Sequence, residues 1–389
     1  MQDPEARPGA RHATRRRGGA AVSAEIVVVG AGVTGLATAF RLATAGEPPR
    51  VLEAVGIGAG ASGIQPGGVR QQWSTAINCE LARESLAAYQ SLGDWLESGL
   101  DCGFRRCGYV FLAHSDAALA ALAASVRVQR AAGVGSAILT PAEVTDVVPG
   151  LVVDTVTGAS YCADDGYFDR PQAVVEAFGT AAFAAGATYE RRRVLSLEQD
   201  GSGWRLATEA GPVLAARLVV AAGAATRDLL AGVGLPIVAE ERHLFLSQPV
   251  RERLLEPLVI SAERRVAAKQ LADGRVLASD LSAVGDPDRD GPAWRARLRA
   301  VLDELLPRLT YVQFPLLVSG TYDMTPDAQP VLGGIDGLPG LWVAAGFSGH
   351  GFKFCSVVGE LLAQLATEGR TELDISLFDP LRFQKTDPC

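Results

Sequence analysis

The sequence predicts an α/β fold in which a domain built on a parallel sheet carries an inserted domain of antiparallel strands. Two apolar strands, at residues 26–29 and 216–222, are each followed by a glycine turn and helical sequence, as in a buried parallel sheet. Residues 236–319 instead contain short strand-like segments separated by polar turns. The 389 residues, 48% of them hydrophobic, are enough to form the cores of two domains.

A glycine motif follows the first strand. Gly30, Gly32 and Gly35 have GxGxxG spacing, a helical segment then closes at Gly46, and a second strand ends at Glu53. In a Rossmann unit these glycines allow the tight turn, the approach of a pyrophosphate and close helix packing, while the acid binds a ribose. The motif therefore predicts a Rossmann-type dinucleotide-binding domain. A βαβ unit without a nucleotide has the same order, and the motif alone does not distinguish FAD from NAD.

The next segments alternate between loop, helix and strand. Residues 57–72 are too rich in glycine for regular structure and are predicted to form a binding loop. Apolar periodicity predicts a long helix over residues 77–99 and another over about 116–132, with a strand over 108–115 between them.

Capping and turn residues locate further elements. Thr140 is a predicted helix N-cap, with Pro141 at the first helical position and Glu143 completing a capping box. A helix closing at Gly186 and a hairpin over residues 193–208 then precede the second buried strand.

The last third of the chain returns to the first domain. A helix is predicted over residues 292–307, within the antiparallel region. A buried strand over residues 340–345 then leads into the turn GFSGHG, residues 346–351, and a final helix. The nucleotide domain is therefore expected to close with the final segments of the chain.

Composition argues against several classes of protein. The net charge of −8 and the pI of about 5.2 argue against general nucleic-acid binding, and no apolar run reaches the length of a membrane span. The arginine-rich residues 1–23 are predicted to form a disordered basic extension. The cysteines and histidines form no metal-binding motif, and scattered cysteines fit a reducing cytoplasm, so no metal site and a cytoplasmic location are expected.

Several segments together resemble the D-amino-acid oxidase and sarcosine oxidase superfamily of FAD-dependent amine oxidoreductases. They are GAGVTG with Glu53, DGYFDRPQAVVEA, LVVAAGAAT, TYDMTPDAQPVLG and GFSGHGFKF, and the last is specific to the sarcosine oxidase branch. The resemblance implies a discontinuous Rossmann-type FAD-binding domain formed by residues 24–105, 160–235 and 320–389. Residues 106–159 and 236–319 would form an inserted antiparallel-sheet substrate domain of α+β type.

The resemblance also implies which residues bind FAD. In the family the glycine-rich turn lies against the flavin, and its N–H groups at a helix N-terminus favour the anionic reduced ring. The predicted FAD-binding residues are Gly30, Gly32, Val33, Gly35, Glu53, Ser62, Val194, Gly223, Gly346, Ser348, Gly349, His350, Gly351, Phe352 and Lys353.

Four residues correspond to the substrate site of the family. Lys353 matches a lysine that holds the substrate carboxylate, and Arg70 matches an arginine that pairs with the same group. His350 would lie beside the flavin, and Tyr322 matches an aromatic residue that lines the pocket. Each also has a structural interpretation: a loop cap for Lys353, a loop arginine for Arg70, and packing for His350 and Tyr322.

Two positions depart from the family pattern. Gly320 stands where monomeric sarcosine oxidases carry the cysteine that tethers FAD, so noncovalent FAD is expected. Val276 aligns with the lysine that promotes the reaction of those oxidases with oxygen, while Lys269 lies on the same hairpin. Slow reoxidation by O2 and turnover with another electron acceptor are therefore expected.

The resemblance implies oxidation of the C–N bond of an amino acid or a sarcosine-like N-alkyl amino acid to an imine, by hydride transfer to the flavin. The expected partners are a small amine that carries a carboxylate and either O2 or another electron acceptor. Two alternatives remain open. The chain could be the flavin-binding subunit of a hetero-oligomeric amine dehydrogenase. It could also be an FAD monooxygenase, which the GFSGHGFK segment argues against.

Overall fold

The computed structural model describes residues 25–96, 99 and 102–384. The predicted basic extension, residues 1–23, lies outside them. In chain order the strands are β1 (Ile26–Val29), β2 (Arg50–Glu53), β3 (Gly68–Val69), β4 (Phe104–Arg106), β5 (Tyr109–Ala113), β6 (Ala137–Leu139), β7 (Gly158–Cys162), β8 (Gly166–Phe168), β9 (Thr188–Arg191), β10 (Val194–Asp200), β11 (Gly203–Thr208), β12 (Val213–Ala215), β13 (Arg217–Val220), β14 (Val238–Leu246), β15 (Leu258–Ser261), β16 (Val266–Gln270), β17 (Val276–Asp280), β18 (Leu316–Met324), β19 (Val331–Ile335) and β20 (Leu338–Ala345).

The described residues also form α-helices between these strands. They are α1 (Val33–Thr44), α2 (Ala76–Gln90), α3 (Leu92–Trp95), α4 (Asp116–Ala131), α5 (Pro141–Val147), α6 (Pro171–Ala184), α7 (Thr226–Leu229), α8 (Pro287–Leu305) and α9 (Gly351–Glu368). Within the described residues no helix combines the length and the apolar character needed to cross a bilayer.

The first domain is built on a sheet with the strand order β19-β20-β13-β1-β2-β9. Its strands run parallel except at the β19–β20 edge. Val28, Val51 and Val219 are fully buried against α1, α6 and α9 on one face. Val27 and Leu218 are buried on the other face, against the antiparallel sheet β10-β11-β12. The prediction of a doubly covered parallel sheet is therefore confirmed, because its strands are apolar on both faces.

The second domain contains a sheet with the order β18-β14-β17-β16-β15-β5-β7-β6. All its pairs are antiparallel except β15 and β5. One face packs on α8, where Phe245, Val276 and Ala278 are buried against Trp294 and Leu298. The other face is directed toward the small sheet β3-β8-β4 and toward the loop that precedes β3. This arrangement places the antiparallel sheet above the carboxyl ends of the parallel strands.

Strand β18 extends past one predicted domain boundary. It pairs with β14 along its whole length, from Leu316 opposite Leu246 to Met324 opposite Val238. The chain therefore leaves the second sheet after Met324, whereas the predicted boundary lies between residues 319 and 320. Strand β7 likewise crosses the predicted boundary between residues 159 and 160, because Ser160, Tyr161 and Cys162 pair with β5. The remaining division of the chain into two domains stays a prediction.

Two predicted helices have different bounds in the structure. The single helix predicted over residues 77–99 is interrupted at Ser91, whose φ of −130° and ψ of 37° are not helical. The helix predicted over residues 292–307 begins earlier, at Pro287, because the Asp286 side chain accepts a hydrogen bond from the Asp288 N–H at 2.9 Å. Pro292 then lies inside this helix.

The predicted capping box at Thr140 is confirmed. The N–H of Glu143 donates to Thr140 Oγ1 at 3.4 Å, and the N–H of Thr140 donates to Glu143 Oε2 at 2.8 Å. Both bonds satisfy N–H groups that the first helical turn leaves unpaired, so local sequence alone defines this helix start.

Candidate cofactor and substrate site

A cavity of about 540 Å³ lies at the carboxyl ends of β1, β2 and β13. Ligands bind at this edge in open parallel sheets. Of the residues predicted from the sequence, those that line the cavity are Gly30, Gly32, Val33, Glu53, Ser62, Val194, Gly223, Tyr322, Gly349, Gly351, Phe352 and Lys353. Tertiary structure therefore brings together predicted residues from seven separate segments of the chain.

Two glycines of the first motif are required by close contacts with backbone atoms, and the third borders the cavity. A Cβ at Gly30, which has a φ of +109°, would lie 2.3 Å from the carbonyl oxygen of Ala221. A Cβ at Gly35 would lie 2.0 Å from the oxygen of Gly30, so Gly35 supports the turn beneath the cavity. A Cβ at Gly32 would project near Ser62 Oγ, at 3.1 Å, on the cavity wall. Gly30 and Gly35 therefore shape the backbone, whereas Gly32 keeps the cavity open.

The carboxylate of Glu53 is fixed by two backbone groups. Its Oε2 accepts a hydrogen bond from the Ala31 N–H and its Oε1 accepts one from the Val55 N–H, both at 2.8 Å. Each oxygen keeps a second lone pair for a ligand hydroxyl. The first turn of α1 lies beside it, where the Val33 N–H donates to Ser62 Oγ at 3.0 Å.

Further residues at this end of the cavity were missed by the sequence analysis. Val55 and Leu195 line the cavity with 53% and 55% of their surfaces exposed, and Arg192 and Arg193 lie beside them. Large apolar side chains so exposed at a cavity mouth offer a contact surface for a planar apolar ring. The only signal for them was their proximity in sequence to Glu53 and Val194.

The glycine-rich turn before α9 is held by β18. Gly346, Ser348 and Gly349 have φ values of +68°, +51° and +80°. Asp323 fixes the turn, because its Oδ2 accepts the Gly346 N–H at 2.7 Å and its carbonyl oxygen accepts the Ser348 N–H at 2.8 Å. A Cβ at Gly349 would lie 2.3 Å from the ring of Tyr322. Gly346 and Ser348 thus shape this turn without lining the cavity.

Lys353 and Arg70 place two cations beside the turn. Lys353 is buried, and its Nζ donates to the carbonyl oxygen of Gly349 at 3.2 Å. Burial and, secondarily, the charge of Arg70 lower the pKa of Lys353 to about 7. Arg70 stacks 3.7 Å above the ring of Trp73 and donates to the carbonyl oxygen of Gln72. Neither cation forms an ion pair with a carboxylate within residues 25–96 and 102–384.

His350 is a packing residue in this arrangement. Its ring meets the edge of Trp73 with centroids 4.6 Å apart. Burial, followed by the charges of Lys353 and Arg70, holds the pKa of His350 well below its usual value, so its imidazole is neutral at pH 7. His350 and Arg70 do not line the cavity, whereas Lys353 does. Their roles toward cofactor and substrate stay predictions.

Asp165 is a buried carboxylate that the sequence analysis did not single out. It accepts hydrogen bonds from the Gln71 N–H at 2.9 Å and from Gln72 Nε2 at 3.0 Å, and so holds the loop that carries Arg70. Burial raises the pKa of Asp165 to about 6. Its place in the DDGYFD segment was the available signal, but only the fold brings it to residues 70–72.

Val276 does not occupy the position above the flavin that the resemblance implied for it. Val276 is fully buried among the side chains that pack on α8, and its neighbour Leu277 points to the opposite face of the sheet. Lys269, opposite Leu277, is also buried; its Nζ donates to the Phe168 carbonyl at 3.3 Å and lies 3.9 Å from the centroid of the Tyr167 ring. Neither Val276 nor Lys269 lines the main cavity, and slow reoxidation by O2 stays a prediction.

Replacing Val276 with lysine is expected to destabilise the protein, whereas the same change at Leu277 is tolerated. A lysine at position 276 would bury a charge without a partner, at a cost of about 3 kcal/mol or more. A lysine at 277 reaches the open second cavity described below. Denaturant unfolding of both variants checks this. Equal unfolding free energies would contradict the assigned faces of β17.

Gly320 has a packing role. A Cβ there would lie 3.0 Å from the side chain and the carbonyl oxygen of Ile64, so glycine lets the loop approach β18. The expectation of noncovalent FAD stays a prediction.

The sequence and the fold both match known flavoenzymes. The 4-methylaminobutanoate oxidase (formaldehyde-forming) of Paenarthrobacter nicotinovorans is 29% identical, over 92% of this chain and 45% of that protein. Glycine oxidase of Geobacillus kaustophilus is 28% identical, over 92% of this chain and 97% of that protein. The crystal structure of L-proline dehydrogenase from P. horikoshii superposes with a TM-score of 0.85 at 27% identity, covering 94% of this chain and 99% of that one.

The chain spans 45% of the length of the methylaminobutanoate oxidase, which is less than half of that relative. Residues 25–365 match the sequence profile of the family described as DAO, FAD dependent oxidoreductase. This match covers the glycine motif, the antiparallel sheet and the turn before α9. The chain is therefore a member of the DAO family of FAD-dependent oxidoreductases.

Proposed function

We propose that this protein uses FAD to oxidise the C–N bond of an amino acid or N-alkyl amino acid to an imine. The observation that carries the proposal is the pair of cations, Arg70 and Lys353, beside the glycine-rich turn. Both donate to backbone carbonyls, and in the described part of the chain neither forms an ion pair with a carboxylate, although the charge of Asp165 acts on Arg70. A substrate carboxylate would supply the missing charge, through the guanidinium fork of Arg70 and the point charge of Lys353.

The residues of the main cavity fit FAD. Gly32 leaves space at the N-terminus of α1, where the helix dipole favours a pyrophosphate. Glu53 is held in place to accept ribose hydroxyls, and the N-terminus of α9 lies at the opposite end of the cavity lining. FAD, when bound, supplies the two-electron acceptor for the reaction.

The protein's own residues would bind and orient the amine. The two cations would hold the carboxylate and, by repulsion, lower the pKa of the bound ammonium group. The amine would then lose its proton more readily, and only a neutral amine has the free electron pair that favours departure of a hydride from carbon. Tyr322 and Trp73 would shield this site from water. His350, neutral at pH 7, adds no charge that would oppose a substrate cation.

The relatives support this substrate class. Glycine, proline and 4-methylaminobutanoate, in the names of the relatives, each combine an amine with a carboxylate. With identities below 30%, these names identify the class of substrate and not the compound.

The chain could also act as the flavin-binding part of a larger assembly, because it spans only 45% of one relative and 41% of mouse sarcosine dehydrogenase. Such a subunit would need its partner for turnover. Turnover of the isolated chain with an artificial electron acceptor would exclude this alternative.

Amines with a free carboxylate are expected to reduce the flavin faster than the matching carboxamides. Loss of the carboxylate charge removes bonds to Arg70 and Lys353 that contribute about 1.5–3 kcal/mol each, so the second-order rate constant should fall at least about tenfold. Anaerobic stopped-flow mixing, followed at the visible flavin band, measures both rates. Equal rates for the two substrate types would contradict the proposed clamp.

FAD is expected to be released by acid or heat. Gly320 offers no side chain to form a covalent bond at the position where related oxidases carry the tethering cysteine. Precipitation of the purified protein with acid, followed by the absorbance of the supernatant, checks this. Yellow colour that stays in the precipitate would show a covalent bond.

A further inference from the structure

A second cavity, of about 390 Å³, lies next to the main one. One wall is the inner face of the antiparallel sheet and consists of aliphatic side chains. The other wall is the start of α6 and the loop before β3. The aliphatic residues are Leu244, Leu246, Leu277 and Val318, and the opposite wall includes Ile64, Gln65, Arg170, Gln172 and Glu176.

The strand register explains why the aliphatic wall is continuous. Leu244 lies opposite Val318, and Leu246 lies opposite both Leu316 and Leu277, so these side chains share one face. On the other face the alternate residues are buried against α8. The inner face is left uncovered here, and 40% of the Val318 surface is exposed. A bare aliphatic wall inside a cavity is a binding surface for an apolar group.

The second cavity adjoins the substrate end of the main cavity. Gln65 lines both cavities. Ile64 contacts the backbone of Gly320, and Tyr322, two residues further along β18, lines the main cavity and touches Gly349. Gly349 in turn accepts the hydrogen bond of Lys353. The aliphatic wall therefore adjoins the main cavity at Gln65 and is linked through Ile64 and β18 to the turn that contacts Lys353.

The charges around the second cavity favour a neutral occupant. Arg170 and Glu176 are its only ionisable residues among those that the structure describes, and they have opposite signs. The cavity therefore offers no net charge to a second carboxylate or to a second amine. Its chemistry fits a hydrocarbon group.

We propose that the second cavity binds an aliphatic substituent of the substrate amine. The preferred substrate is then an amino acid or N-alkyl amino acid with a hydrocarbon chain of several carbons, in preference to glycine or sarcosine. This inference rests on the proposed function, because it assumes that Arg70 and Lys353 hold the carboxylate. The inference adds to the proposed function a preference for substrates whose hydrocarbon chain can contact the aliphatic wall.

Two substrate series test the inference. N-methyl- to N-pentylglycine vary the chain on nitrogen, and alanine to 2-aminoheptanoate, as each enantiomer, vary it on the α-carbon. The second-order rate constant for anaerobic flavin reduction is expected to rise about fourfold for each added methylene in one series, because each methylene leaves water for the aliphatic wall.

A variant at the wall separates this site from general effects. Leu277→Phe fills the cavity without disturbing the α8 face, and it is expected to lower the rate constant for the longest substrates by roughly tenfold or more. The rate constant for sarcosine or glycine should stay unchanged. Leu214→Phe is the matched control, because Leu214 is 52% exposed on β12 and lies outside both cavities.

The outcomes distinguish the two proposals. The inference is supported if the rate constant for flavin reduction rises with chain length in the unsubstituted protein and no longer rises in the Leu277→Phe variant. If small amino acids reduce the flavin but chain length has no effect, or if Leu277→Phe changes every substrate equally, the second cavity is not a substrate site. If no amine in either series reduces the flavin, the proposed function fails and the inference fails with it.

Discussion

Replacing Gly32 with valine is expected to abolish FAD binding while the polypeptide still folds. Gly32 has ordinary extended dihedral angles, φ −73° and ψ 175°, which valine can adopt. A valine side chain there would project toward Ser62 Oγ, 3.1 Å from the Cβ position, and occupy the space beside the first turn of α1. A pyrophosphate would then lose at least two charge-assisted hydrogen bonds, so FAD affinity should fall about a hundredfold or more.

Titration of FAD into the apoprotein, followed by fluorescence quenching, measures this loss. The melting temperature of the Gly32→Val apoprotein should stay close to that of the unsubstituted apoprotein. Both proteins are compared without FAD, because bound FAD would itself raise the melting temperature. Gly232→Val is the matched control, because a Cβ at this exposed glycine has no neighbour within 4 Å. Unchanged FAD affinity in Gly32→Val would show that the cofactor does not approach this turn.

Replacing Lys353 with methionine is expected to lower the rate constant for flavin reduction by carboxylate substrates by roughly ten- to a hundredfold. Methionine keeps an unbranched side chain in the buried space but removes the charge beside Arg70. The advantage of carboxylates over carboxamides should shrink by the same factor. Anaerobic flavin reduction with both substrate types measures the effect, and unchanged kinetics would remove Lys353 from the site.

The pH dependence gives a separate test of Lys353. The lysine is charged below its pKa of about 7 and loses its charge as the pH rises through that value. The affinity of a simple carboxylate such as acetate should therefore fall as the pH rises above about 7, whereas Lys353→Met should show a flat profile over this range. Lys269→Met is the matched control, because burial lowers the pKa of this lysine also to about 7, but it lies outside the main cavity.

Local sequence was sufficient where one short segment makes the whole structure. Gly35 in the glycine motif is such a case, because its close contact is with the Gly30 carbonyl oxygen of the same turn, whereas the contact that demands Gly30 comes from Ala221 after β13. The capping box at Thr140 was predictable for the same reason, whereas the turn before α9 also depends on Asp323 of β18. The interruption at Ser91 and the early start of α8 were not predictable, since apolar periodicity locates helix faces better than helix ends.

The sequence by itself determined that the chain has an FAD-type Rossmann unit, and which residues could surround the cofactor. Only the tertiary structure decided which side chains share a face. Side chains alternate along a strand, so an alignment shift of one residue exchanges Val276, buried against α8, for Leu277, which lines a cavity. The raised pKa of Asp165 and the lowered pKa of Lys353 were also decided by the tertiary structure. Both depend on burial, and burial is produced by distant segments packing together.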